Sequence, residues 1–227
     1  MASSLSGKNV VITGGDGALG QAVVAAFRGA GALCHLPLLG PAVPQPESGI
    51  QHTGNINLTD ENAVSAYYAG LPPLWASVHL AGGYQAKPIA DSTRADLDKQ
   101  IELNLVTAFL CCREAVKALR ASGGGRIVNV AARVVEVPVG GSIAYSVSKA
   151  GVAALTRALA VEVRSDGILV NAVLPSIIDT PANRAAMPKA DPAKWPKPDQ
   201  LAAAILWLAA PENQLTSGTL LPVYGLA

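Results

Sequence analysis

Tyr145 and Lys149 stand four residues apart at the start of an apolar, Ala-rich run, "AYSVSKAGVAALTRALA". Helical spacing puts phenol and ammonium on one face, within reach of each other. A phenol titrates near ~10 in water, too high for proton exchange at neutral pH. A neighbouring cation favours the phenolate and lowers that value. The pair therefore suits general acid–base work on an oxygen that gains charge as hydride reaches the adjacent carbon. A site of this kind usually has a serine a short loop upstream as a second donor. Here that stretch offers Ala131 and Ala132. Removing one such donor typically costs about 3–4 kcal/mol of transition-state stabilisation.

Positioning the pair requires a helix at 144–164, and the rest of the chain alternates around it. Buried-strand patterns fall at 8–13, 32–36, 50–56, 75–81, 126–131, 168–173 and 219–223. Helical patterns fall at 18–30, 59–70 (capped by Thr59 or Asp60), 93–121, 144–164 and 199–210. Continuous apolar strands alternating with helices predict an α/β fold, a doubly wound parallel sheet in a Rossmann-like three-layer sandwich. No repeat or linker divides residues 1–227, so one domain is expected. The Pro-rich excursion at about 175–198 is too long for an ordinary connection and predicts a substrate lid. Ligands of such sheets bind beyond the carboxyl ends of the strands. There the turn "TGGDGALG" (13–20) joins the first strand to the first helix. Glycines there let the backbone approach a pyrophosphate and present helix N-terminal amides to it.

Composition excludes several classes. Half the residues are apolar, only 15% are charged, and the net charge is +1. Nothing favours nucleic acid or an anionic membrane as partner. The most apolar helix pattern, 201–210, is half the roughly 20 residues of a membrane span, and "MASSLSGK" is no secretory signal. Cys34, Cys111 and Cys112 have neither disulfide nor zinc spacing, which points to small buried side chains in a reducing, cytoplasmic compartment. His35, His52 and His79 lack metal-ligand spacing and read as structural, so no metal is expected.

The glycine turn and the downstream Tyr-x-x-x-Lys together resemble the short-chain dehydrogenase/reductase family over essentially the whole chain. That resemblance places Thr13, Gly14, Gly15, Gly17, Ala18, Leu19 and Gly20 around the cofactor phosphates, with Ala18 where a glycine is usual. It aligns Leu80, Ala81 and Gly82 with the family's Asn-Ala-Gly, and Asn57, followed by Leu58, with an adenine-contacting aspartate. It gives Asn104 the role of holding a water in the proton path beside catalytic Tyr145. Lys149 should also bond the nicotinamide ribose, and "LPSIIDTP" (174–181), with Pro175, Ile177 and Thr180, should contact the nicotinamide. "GGDGALG", "AGGY" (81–84), Ala132 and "DTPANRAAMPKADPAKW" (179–195) look more narrowly like the dihydropteridine-reductase branch, whose members keep Tyr and Lys but lack the serine.

The resemblance implies an NAD(P)-dependent enzyme acting on a small molecule, as a homodimer or homotetramer through the long helices at 93–121 and 144–164. An acidic residue after the second strand would select NAD. "CHLPLLGP" has no acid there and no base to hold a 2′-phosphate. Both NAD(H) and NADP(H) stay open, with Asp16 tilting the balance slightly to NAD(H). Three explanations answer Ala132. A substrate such as a quinonoid dihydropterin spreads its charge over a conjugated ring; Ser142 substitutes as donor; or the chain is a catalytically weak nucleotide-binding sensor or partner subunit. The first is favoured, with an alcohol or 3-oxoacyl oxidoreductase of the same family as alternative. Tyr84 and Trp195 are aromatic residues that could stack on a flat substrate or pack the lid onto the body. Arg133 and Glu136 read as a solvated loop pair beside the site, with sensing of substrate polarity as the lesser alternative.

Overall fold

The computed structural model describes residues 5–42 and 48–226, so the centre of the Pro-rich stretch after the second strand lies outside it. Seven parallel strands form one sheet: β1 (Asn9–Thr13), β2 (Leu33–Pro37), β3 (Ile50–Thr53), β4 (Leu74–His79), β5 (Gly125–Val130), β6 (Ile168–Pro175) and β7 (Leu220–Val223). Their order is β3-β2-β1-β4-β5-β6-β7. The direction of winding reverses between β1 and β4, which opens a crevice at their carboxyl ends. Helices α1 (Ala18–Gly29) and α7 (Pro198–Ala209) cover one face; α2 (Glu61–Ala69), α4 (Thr107–Ala121) and α5 (Ile143–Glu162) cover the other. The alternation of β1 serves both layers. Val10 and Ile12 enter the core under α1 and α7, while Val11 joins the core under the opposite helices.

Two expectations need correction. The third strand ends at Thr53 rather than 56, because the chain turns through Gly54 and Asn55, whose φ is +59°. The single helix read at 93–121 is three pieces: α3 (Arg94–Gln100), a π-helical turn (Ile101–Val106) and α4. The Asn104 side-chain amide donates to the Gln100 carbonyl at 3.2 Å. That carbonyl is the one its own main-chain N–H would take in an α-helix, so the ladder slips by a residue.

The excursion after β6 carries a short helix, α6 (Pro181–Ala186), and a 3₁₀ turn (Pro192–Lys194). Asp179 receives two bonds from Arg184, Nε to Oδ1 at 2.6 Å and Nη2 to Oδ2 at 2.8 Å. Its own N–H donates to the Pro196 carbonyl at 2.9 Å, so the segment closes on itself.

A polar chain crosses the apolar interior. Tyr68 Oη lies 2.8 Å from Ser77 Oγ, Ser77 Oγ lies 2.8 Å from His79 Nε2, and His79 Nδ1 lies 2.8 Å from Asn129 Oδ1. Asn129 Nδ2 donates to Thr156 Oγ1, which donates to the Val152 carbonyl. Only one assignment of protons satisfies every link. Asn129 Oδ1 must accept, so His79 carries its proton on Nδ1, Nε2 accepts from Ser77, and Ser77 accepts from Tyr68. Burial holds His79 neutral, with its pKa lowered to about 4.

Candidate active site

The turn between β1 and α1 closes only on glycine. Gly14 has φ +65°, and a Cβ on Gly20 would lie 2.1 Å from the Gly14 carbonyl oxygen. Gly17 caps α1 with no side-chain hydrogen bond, and the first turn has no acidic residue. The N-terminal amides of Ala18 and its neighbours are left for an external acceptor. Thr13 Oγ1 receives the Ala81 N–H at 3.2 Å, tying this turn to the end of β4. A hydrogen-only cradle at an uncapped helix start, in the crevice of a doubly wound sheet, fits a dinucleotide pyrophosphate.

Asn104, Gly82, Lys149 and Tyr145 converge beside it. Asn104 is 1% exposed and clamps Gly83 from both sides, accepting from its N–H and donating to its carbonyl, each at 3.0 Å. A Cβ on Gly82 would meet Asn104 Oδ1 at 2.6 Å and Lys149 Nζ at 3.4 Å, so both polar groups border the same point. Lys149 Nζ donates to the Val130 carbonyl at 2.9 Å, at the end of β5. The Tyr145 ring packs edge-on against Tyr84, centroids 4.9 Å apart. Tyr84 itself is 64% exposed at the mouth of the site.

Protonation departs from the expectation that ammonium would depress phenol. Lys149 Nζ sits 6.0 Å from the Tyr145 ring centre and is bonded elsewhere. Burial, with Tyr84 adding to it, pushes Tyr145 up to about 12. Burial alone draws Lys149 down to about 8. The phenol is therefore protonated at neutral pH and a weaker acid than tyrosine in water.

Other expected residues fall less simply. Ala132 is buried in extended backbone where β5 ends. Ser142 Oγ is buried with no hydrogen-bond partner among the described residues, at a backbone bridge to Lys87. The Asn57 side-chain oxygen is committed to its own turn, accepting from Thr59 N and Oγ1. Leu58 packs into the core under α2 and α4. Pro175 ends β6, Ile177 is exposed, and Thr180 caps α6 by accepting from Asn183 N. Trp195 is 6% exposed, so it fastens its segment and presents no open face. Arg133 and Glu136 do not pair; Glu136 accepts from Tyr224 Oη at 3.0 Å instead. Two contributors escaped the sequence reading, Gln100 and the Val130 carbonyl, while Gly83 entered it only within "AGGY". Gln100 alone left a signal, lying one helical turn before Asn104. Among the described residues no group of three His, Cys, Asp or Glu side chains is arranged to hold a metal.

The chain is similar to known proteins in sequence and in fold. Residues 8–191 match the sequence model of a family described as short chain dehydrogenase. A cis-4-hydroxycyclohexanecarboxylate dehydrogenase from Sinomonas cyclohexanicum is 30% identical, over 99% of this chain and 98% of that protein. A 3-oxoacyl-(acyl-carrier-protein) reductase, FabG, from Rickettsia bellii is also 30% identical, over 97% of each. The ligand-free structure of an aldohexose dehydrogenase from Thermoplasma acidophilum superposes with a TM-score of 0.88, at 24% identity, covering 100% of this chain and 96% of that one.

Proposed function

Because the chain belongs to the short-chain dehydrogenase family, and is an NAD(P)-dependent oxidoreductase by that membership, we propose that it reduces a carbonyl or conjugated C=N substrate, with Tyr145 as the proton donor. The observation that carries this reading is the meeting of Lys149 and Asn104 at Gly82, with the Tyr145 ring centre 6.0 Å from the Lys149 ammonium, next to a turn built for a pyrophosphate. Bound there, the reduced nicotinamide supplies hydride. The chain's own work is to place and protonate. Gly14, Gly15 and Gly17 shape the turn, the Gly17 N–H donating to the Gly14 carbonyl, and the main-chain amides of Ala18, Leu19 and Gly20 receive the phosphates. Gly82, held between Asn104 and Lys149, lets the cofactor lie close to both. Lys149 keeps one donor on Val130 and has others for the ribose. Tyr145 gives its proton to the oxygen or nitrogen that becomes negative.

Ala132 supports a substrate whose charge spreads over a conjugated ring, a quinonoid dihydropterin being the finer reading, because one localised donor is missing. The relatives favour ordinary alcohols, ketones or 3-oxoacyl groups as the second reading. Neither NADH nor NADPH is selected by a charged residue at the end of β2. The exposed apolar side chains Phe109, Val147 and Val161 on α4 and α5 support a homodimer or homotetramer through that face. The buried free thiols suit a reducing cytoplasm. The test is oxidation of NADH and NADPH by the full chain with quinonoid dihydropterin, a ketone panel and a quinone panel, alongside Tyr145→Phe. Turnover should fall at least about 10³-fold in the variant while cofactor binding persists. Tight cofactor binding with no turnover by the wild type would point to a sensor or partner subunit.

A further inference from the structure

Arg133 opens the 3₁₀ turn that directly follows Ala132 at the carboxyl edge of β5. It lies three positions after Val130, whose carbonyl holds Lys149, so the two main-chain positions lie within about 11 Å. Its guanidinium carbon lies 5.4 Å from the centre of the Tyr224 ring. Tyr224 is doubly fastened: its hydroxyl donates to Glu136, and its carbonyl accepts from Ser176 Oγ at 2.7 Å. The ring is thus a fixed platform and the guanidinium lies against it. None of the guanidinium nitrogens bonds to or pairs with any described residue. Nε is buried without a partner, whereas the two Nη groups are not buried. Glu136, the one carboxylate nearby on the same turn, is turned to the Tyr224 hydroxyl. A half-buried, permanently charged fork with an unmet inner donor and open outer donors matches a planar carboxylate.

We propose that Arg133 anchors a carboxylate at the far end of the substrate, which makes the substrate an oxo or hydroxy acid. This rests on the oxidoreductase reading above and adds the substrate's second handle. Tyr224 acts as the positioning residue for the fork.

The full chain loaded with NADH should be offered oxocyclohexane- and oxocyclohexenecarboxylates and their neutral primary amides. It should also be titrated calorimetrically with non-reacting cyclohexanecarboxylate. Wild-type protein should prefer acid over amide by roughly 100-fold in kcat/KM. In Arg133→Met that ratio should fall toward one, mainly through KM, and Arg133→Lys should restore part of it. Calorimetric binding of the acid should vanish in Arg133→Met, with far-UV circular dichroism and NADH binding confirming that the variant is folded. Tyr145-dependent turnover of acids and amides alike would overturn the anchor and leave the reductase standing. Arg133-dependent binding of the acid with no turnover of any compound would uphold the anchor and overturn the reductase. Equal binding of acid and amide by the wild type, turned over or not, would overturn the anchor.

Discussion

Lys149 is 6% exposed and has a main-chain carbonyl, not a carboxylate, as its hydrogen-bond partner. Its pKa falls from 10.5 to about 8, so at neutral pH the fold carries a buried charge it would be more stable without. The sign follows from the depressed value: the penalty is full below about pH 8 and is relieved as pH rises toward 10.5. Its size is about 3 kcal/mol. Lys149→Met is therefore expected to raise stability at pH 7 by up to about 3 kcal/mol, less whatever the unpaired Val130 carbonyl loses, and to abolish turnover. Denaturant melts at neutral and strongly alkaline pH check this, because the gain should shrink at the alkaline end. Tyr145 and Lys149 were legible from their spacing alone. Their protonation was not, since dryness and the Val130 carbonyl are supplied by strands far away in the chain.

At the scale of elements, the π-helical turn between α3 and α4 is where the site is made. Periodicity runs through "IELNLV" without a break, so the sequence showed one helix and hid the slip. A side-chain amide competing for a carbonyl leaves no mark on hydrophobic pattern. Asn104→Ala frees the Gln100 carbonyl and strands both polar groups of Gly83. It is expected to cost about 1–3 kcal/mol of stability and to lower kcat by roughly 10²-fold. Faster hydrogen exchange at the Gly83 amide would report the loss of the clamp. Gly82→Ala should act in the same sense through the other side of the contact, since its Cβ would meet Asn104 Oδ1 at 2.6 Å. The existence of the seven strands, the glycine turn and α5 were readable because each rests on local pattern. The Asn57 expectation came from the resemblance, and the turn in which its side-chain oxygen accepts from Thr59 was not visible in the sequence.

Across the whole molecule, His79 is expected to contribute to acid sensitivity, beside His35, whose pKa burial also lowers. The His79 pKa drops from 6.5 in the open chain to about 4 in the fold, so the unfolded chain binds the extra proton between those values. The His79 contribution to stability is complete above about pH 6.5 and declines as pH falls toward 4, by about 3 kcal/mol. Urea melts at pH 7, 5 and 4 should show this slope, and His79→Gln should reduce it. The doubly wound parallel sheet was predictable from the alternation of apolar runs, but the polar chain through the core was not, because its members lie up to 88 positions apart (Tyr68 to Thr156). His79 and Asn129 face each other directly in the pairing of β4 with β5. Slide one strand by a single residue and a valine stands opposite the imidazole, with a proton aimed into hydrocarbon. Apolar strands forgive misalignment; this string of one-way bonds does not. It proofreads the sheet, admitting only the pairing in which every hydrogen has an owner.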